Sequence, residues 1–328
     1  MERLIREFNK LIVNIDFKRF QNEFSLSIYD ALGQGYSKSE NEVSLVTRLV
    51  DTIKNSAQYR NLSFHSKKIH GSRSYVEFNF RDKPVTKELA DMLVISVATY
   101  KRKRIVQKIT FIQNKVDSKR SWKIDEEQLF LLKNFPSFSG KKGIFRQFGQ
   151  KDIVFLNHSK CLGSYGLFME PGEMIFLSAP LVADMKKNKS IAEKDIRYLE
   201  ENRSYGNNFN FSPYLDPMIL EDMIHYLYKY CRKGHYSFPF FSGQNSEFLG
   251  NTIFARDIHD FIREWTFFNI GETTFINDSV VNPLLDDFTN NILRAIGMGE
   301  HINIPESNNQ PKFESETAVF VMHLGIKE

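Results

Sequence analysis

Three polar side chains interrupt two long apolar runs: Asp91 near the start of Glu88–Ala98, and Gln113 and Lys115 toward the end of Ile105–Val116. Side chains on a strand alternate between faces, so Asp91 shares a face with Leu89, Leu93, Ile95 and Val97, while Gln113 and Lys115 share one with Ile109 and Phe111. If the two runs are neighbouring strands, Asp91, Gln113 and Lys115 converge on one point. A lone carboxylate or ammonium buried there would cost several kcal/mol unless paired or bound to a metal. A carboxylate and an amide oxygen are hard ligands suited to Mg2+ or Mn2+, and Mg2+ typically keeps waters and a substrate phosphate in its shell. Lys115 is then placed to hold or deprotonate an attacking water, or to neutralise charge on a phosphoryl group in transfer. The plainer alternative is a strand pair with solvated polar residues or a simple ion pair. Glu88, three residues before Asp91 and on the opposite face, is the weaker acidic partner for Lys115.

These side chains need elements to position them. Leu4, Phe8, Leu11 and Ile12 recur at helical spacing, as do Phe17, Phe20, Phe24, Ile28 and Leu32, until Gly33-Gln34-Gly35 stops the run. Ser37 with Glu40, and Ser39 with Glu42, form overlapping capping-box patterns ahead of a third helix through Val43, Val46, Leu49, Val50 and Ile53. The period then changes to that of strands over Tyr75–Phe80, Glu88–Ala98 and Ile105–Val116, with the cationic turn Tyr100–Arg104 between the last two. Asp125, Glu126 and Glu127 lead a further helix through Leu129, Leu131 and Leu132, acidic at its start as the helix dipole prefers. Asp152–Leu156 and Met174–Leu177 read as strands, and Pro171-Gly172 as a turn. Beyond residue 181 the pattern is mostly helical, with Asp216-Pro217 and Asn282-Pro283 each marking a helix start and Ile302–Ser315 a polar loop. The expected fold class is therefore α/β: a mixed β-sheet flanked by helices over residues 1–180, followed by a mostly helical C-terminal region over 181–328.

Helix with a glutamate, strand, strand with Asp91, strand with Gln113-Asn114-Lys115, helix, strand: this order resembles the core of the restriction-endonuclease-like nucleases, the PD-(D/E)XK superfamily, over roughly residues 38–157. The resemblance implies metal-dependent hydrolysis of phosphodiester bonds, with Asp91, Gln113 and Lys115 at the motif positions and Mg2+ or Mn2+ as cofactor. It departs from the family at Gln113, where an acidic residue is usual, so one ligand charge is lost. An upstream helical glutamate commonly completes the site in that family, and both Glu40 and Glu42 stand where it should. Gln128, on the helix after the lysine strand, matches a position from which members reach the site or the phosphate. DNA is the expected substrate, with a role in bacterial or phage defence implied by resemblance alone. The rival reading is a nuclease-derived binding or scaffold module in which Gln113 marks lost catalysis.

Charge adds a second argument. Residues 1–180 carry 30 Lys and Arg against 19 Asp and Glu, whereas residues 181–328 carry 14 against 21. A basic half attracts polyanions; an acidic one has no such use and suits folding on itself or on a protein. Cations cluster around the candidate site at Lys67, Lys68, His70 and Arg73, at Lys101, Arg102, Lys103 and Arg104, at Lys119 and Arg120 beside Trp122, and at Lys141, Lys142 and Arg146. Such side chains are expected to contact phosphates without reading sequence. Aromatic-rich helices around Met223, Tyr226, Tyr230, Phe261 and Trp265 suggest a homodimer or a protein partner through the C-terminal region. No apolar run approaches the about 20 residues of a membrane span, and the charged first 30 residues hold no signal-peptide core. With two cysteines in 328 residues, a disulfide scaffold is excluded and a cytoplasmic location is expected. His225, Cys231 and His235 match no strong zinc spacing, Asp257, His259 and Asp260 read as the polar side of a helix, and Gly163, Gly166 and Gly172 form no phosphate loop.

Overall fold

The computed structural model describes residues 8, 10–11, 14–56, 58–69, 74–142, 152–186, 189–196, 252–276, 279–302 and 317–326. Helix α1 (Ile15–Ser37) is capped by Asn14, whose side chain accepts from the Asp16 N–H at 2.8 Å, and buries Phe17, Phe24, Ile28 and Leu32 along one stripe. Helix α2 (Glu42–Ser56) buries Leu45, Val46, Leu49, Val50 and Ile53 in the same way. Its cap is Asn41, whose Oδ1 accepts from the Ser44 N–H at 3.0 Å, and not the expected serines. Ser37 is the last residue of α1, and Ser39 sits in the turn with φ of 54°.

Strands β1 (Gln58–Tyr59) and β2 (Leu62–Lys68) follow, then the hairpin of β3 (Tyr75–Phe80) and β4 (Lys83–Glu88). The two long strands, β5 (Met92–Tyr100) and β6 (Lys103–Val116), pair antiparallel as expected. Lys101 and Arg102 make their turn with φ of 50° and 66°, the left-handed pair that matches strand twist in a two-residue hairpin. After β7 (Ser121–Lys123) comes α3 (Glu126–Asn134), capped by Asp125 and ended by Phe135 in the left-handed region one residue before Pro136. Next come β8 (Phe138–Gly140), β9 (Gly163–Met169), β10 (Glu173–Ser178), α4 (Ala179–Met185) and β11 (Ser190–Ala192). The chain closes with β12 (Phe254–Ala255), α5 (Ile258–Thr266), β13 (Glu272–Ile276), β14 (Ser279–Val280), α6 (Pro283–Ala295), α7 (Gly299–Ile302) and β15 (Ala318–Ile326).

The main sheet runs β1-β2-β15-β5-β6-β9-β10-β12, and β13 adds to β6 beside the start of β9. It is mixed: β15 pairs parallel with β5 and β6 parallel with β9, while the remaining ladders are antiparallel. One apolar layer lies between it and α1, α2 and α5; the other lies beneath α3, α4, α6 and the small sheet β4-β3-β8.

Two expectations need correcting. The boundary at residue 180 does not divide the sheet, because β12, β13 and β15 come from the C-terminal part and β15 sits between β2 and β5. Buried on both faces, β15 reads as a continuous apolar run, and such a run carries no period to separate strand from helix. The segment Asp152–Leu156 is no strand: Ile153 bridges Phe138 and the pairing stops there. The helix expected at Asp216-Pro217, the sites His225, Cys231 and His235, and Met223, Tyr226 and Tyr230 lie outside the described residues. Phe261 and Trp265 are buried in the layer with α1 and α2, so the chain itself covers that part of the apolar surface that suggested a partner.

Candidate active site

Asp91 stands one residue before β5. Its N–H donates to Ile112 O at 3.0 Å and its carbonyl accepts from Ala318 N at 2.9 Å, which fixes it between β6 and β15. Its Oδ2 accepts from the Asn114 N–H at 2.7 Å and from the Gln113 Nε2. The antiparallel register that pairs Met92 with Ile112 sets Asp91 opposite Gln113, so the convergence expected from alternation is present. Lys115 lies two residues further along the same face of β6, half-buried.

The structure separates the two glutamates. Glu40 is bound by Arg48 through both carboxylate oxygens at 2.5 Å, and the guanidinium holds its carboxyl below the ordinary value. Glu42, on the first turn of α2, reaches Asp91 instead. Burial, the Asp91 charge, a hydrogen bond to Asp91 and the Glu88 charge push the Glu42 carboxyl up to about 8, and the Lys115 ammonium opposes them. Two close carboxyls repel when both are ionised, and that repulsion adds to burial in raising Glu42. The charge of Glu88, the last residue of β4, raises Glu42 further.

Gln128 does not reach the carboxylates. Its Nε2 donates to the Glu88 carbonyl at 2.5 Å, and its own N–H is held by the Asp125 cap at 2.8 Å, so it ties α3 to the segment leading into Asp91. Of the polar atoms at the site, Gln113 Oε1 is buried with no hydrogen-bond partner among the described residues. Two neighbouring carboxyls, Glu42 and Asp91, plus the buried amide oxygen of Gln113 without a partner, form a donor set that fits a small divalent cation.

The expected phosphate contacts divide by position. Lys101, Arg102 and Lys103 are exposed, but they lie at the hairpin end of β5 and β6, about 30 Å from Asp91 at ~3.3 Å per residue along the nine residues of β5. Arg104 is internal: it binds both oxygens of Asp286 at 2.8 and 2.9 Å and Asn290 at 2.7 Å, and stacks 3.8 Å from the Phe275 ring centroid. Arg120 is committed to Glu193 at 2.8 Å and to the Glu170 carbonyl at 3.1 Å. Lys119 is exposed just beyond the end of β6 that carries the site. Lys67 and Lys68 also belong to that end, since Lys68 pairs with Ala318 and Ala318 with Met92. His70, Arg73 and Arg146 lie outside the described residues.

Two residues of the site went unread in the sequence. Asn114 supplies the N–H that binds Asp91, and Tyr165 of β9 stands beside Gln113 in the parallel register. The only cue to Tyr165 was a phenol inside the apolar run Gly163–Met169. Asp257, His259 and Asp260 do cluster closely enough to face a common cation. Capping of α5 by Asp257, ion pairs from Arg256 and Arg263, and the His259 bond to Asn22 at 2.7 Å account for them. No described helix is long and apolar enough to cross a membrane. The chain matches no protein-family model, no curated protein and no solved structure.

Proposed function

We propose that this protein is a Mg2+- or Mn2+-dependent nuclease hydrolysing phosphodiester bonds of DNA, with a restriction-endonuclease-like site built from Glu42, Asp91, Gln113 and Lys115. The observation that carries the reading is the Glu42 carboxyl against that of Asp91, with the buried, unpartnered Gln113 Oε1 on the residue opposite Asp91. Glu42, Asp91 and the Gln113 amide oxygen would hold the cation, whose chemistry is Lewis acidity toward a phosphoryl oxygen and a lowered pKa for water. Lys115 holds the attacking water by its ammonium, or offsets charge that develops on the phosphoryl oxygens. Asp91 is held by the Asn114 N–H on one carboxylate oxygen and by backbone bonds on both sides, so it enters the reaction already oriented. Lys67, Lys68 and Lys119, on the same end of the sheet, are placed to receive flanking phosphates.

The test is cleavage of supercoiled plasmid and of end-labelled duplex and single-stranded oligonucleotides, with and without Mn2+. Asp91→Asn and Lys115→Ala should each abolish metal-dependent cleavage while far-ultraviolet circular dichroism stays unchanged. Cleavage retained in both variants would overturn the site. Mn2+ and DNA binding without cleavage by the wild type would favour the non-catalytic module, for which the neutral Gln113 is the motivating residue.

A further inference from the structure

The turn between α1 and α2 carries an ion pair beside the metal centre that the reaction itself does not use. Arg48, on the second turn of α2, reaches back and donates its Nε and Nη2 to the two carboxylate oxygens of Glu40, each at 2.5 Å. On the way it crosses the last turn of α1 at Gly35, where a Cβ would crowd the Arg48 Cδ and Nε at 3.1 Å. The glycine lets the side chain pass this close. The Glu40 N–H in turn donates to the Gly35 carbonyl at 3.0 Å. Glu40 is thus fastened to both helices, to α1 by its backbone and to α2 by its side chain. Asn41 follows as the cap of α2, and Glu42 is the first helical residue.

A helix start is a poor place for a metal ligand unless something holds it. The first N–H groups of a helix have no partner within it, so its first turn opens more readily than its interior. A metal ligand, by contrast, must be held to within about 0.5 Å of its working position. The Glu40–Arg48 contact ties the turn before Glu42 to the second turn of the same helix, which closes that weak point. As a stability device the pair contributes little, with 23% and 22% of the two side chains exposed. We infer that Arg48 is a positioning residue for the metal centre: by holding Glu40 across the turn it fixes where α2 begins and so presents Glu42, two residues on, to Asp91. The same contact occupies both oxygens of Glu40 and keeps that carboxylate from competing for the cation. The inference rests on the metal centre proposed above.

The experiment is a double-mutant cycle on the full chain, read by Mn2+ titration calorimetry well below the unfolding temperature. Arg48→Met and Glu40→Ala should each weaken Mn2+ binding about tenfold, as when a residue that orients a metal ligand is removed. Long-range charge alone would split them, since losing a cation strengthens Mn2+ binding and losing an anion weakens it. The double variant should bind within about twofold of the weaker single one, because both changes remove the same contact. Ser66→Ala is the control: it removes the 2.5 Å bond from the Ser66 hydroxyl to the Val50 carbonyl, which ties α2 to β2 further along the helix. It should leave Mn2+ affinity within about twofold of wild type. Wild-type or tighter Mn2+ binding by Arg48→Met would overturn the inference and leave the metal centre standing. So would losses that multiply in the double variant, or an equal loss in Ser66→Ala. A wild type that takes up no Mn2+ overturns the metal centre itself, and the inference with it.

Discussion

Replacing Glu42 by glutamine should stabilise the metal-free protein at alkaline pH while removing its response to metal. An ordinary glutamate ionises near 4.5, and this one is pushed up to about 8 by burial beside Asp91. Between those values the folded protein keeps a proton that the unfolded chain has released, so stability falls as pH rises from 4.5 through 8. At 1.36 kcal/mol per pH unit the interval corresponds to about 4 kcal/mol at pH 8. Solvent reaching a half-buried carboxyl screens that to ~2 kcal/mol. Glutamine keeps the shape and still donates to Asp91, but it cannot ionise. Thermal unfolding in EDTA should therefore show Glu42→Gln matching the wild type near pH 5 and exceeding it by ~4 °C at pH 8, by the usual relation between stability and melting temperature in larger domains. Mn2+ should raise the melting temperature of the wild type at pH 8 and leave the variant unmoved. A variant less stable than wild type at pH 8, or one with the same pH dependence, would refute the raised Glu42 carboxyl and its placing against Asp91.

Lys67, Lys68 and Lys119 changed together to serine should weaken DNA binding and flatten the plot of log K against log salt by about 0.9 for each phosphate no longer neutralised, whereas serine at Lys101, Arg102 and Lys103 should leave the slope alone. Fluorescence anisotropy across a salt series decides it, and the opposite result would put the nucleic acid at the hairpin end of the sheet. Arg104→Ala should cost about 3 kcal/mol in urea unfolding, because it leaves the buried Asp286 carboxylate without its bidentate partner, while Lys103→Ala should fall within about 0.5 kcal/mol of wild type. A cost below about 1 kcal/mol at Arg104 would mean that Thr274, Gln107 and Asn290 suffice for Asp286.

The local parts of the site were legible because they obey period two. Alternation alone placed Asp91, Gln113 and Lys115 on one face, and the β5–β6 pairing set Asp91 against Gln113. Choosing between Glu40 and Glu42 required knowing where Arg48 points, and both glutamates sit at a helix start with equal claims as capping residues. The decision lies in a contact eight residues along the chain, between the turn before α2 and the helix itself. The long-range parts were not legible. Nothing local in Ala318–Ile326 reveals that it inserts between β2 and β5, more than 200 residues away in sequence, because a strand buried on both faces carries no amphipathic signature. The place of Tyr165 beside Gln113 was not legible either: it comes from the β6–β9 register, and parallel pairing leaves no hairpin in the sequence to announce it.

Charge was the least reliable guide, and the fold shows why. The excess of cations before residue 180 and of acids after it suggested two halves with different partners. In the folded chain part of that excess is neutralised across the sheet: Arg104 binds Asp286, Arg120 binds Glu193, and the fully buried Lys108 lies in the field of Glu272. Burial pulls the Lys108 amine down to about 8, and Glu272 opposes that pull while accepting hydrogen bonds from Ser159. Cations counted toward a polyanion surface are therefore partly the internal counter-ions of the acidic half. Among the described residues, Lys67, Lys68 and Lys119 lie at the Asp91 end, Lys67 donating to the Ala295 carbonyl and Lys68 to the Thr47 hydroxyl, and position on the sheet rather than net charge is what commends them for the proposed DNA contact.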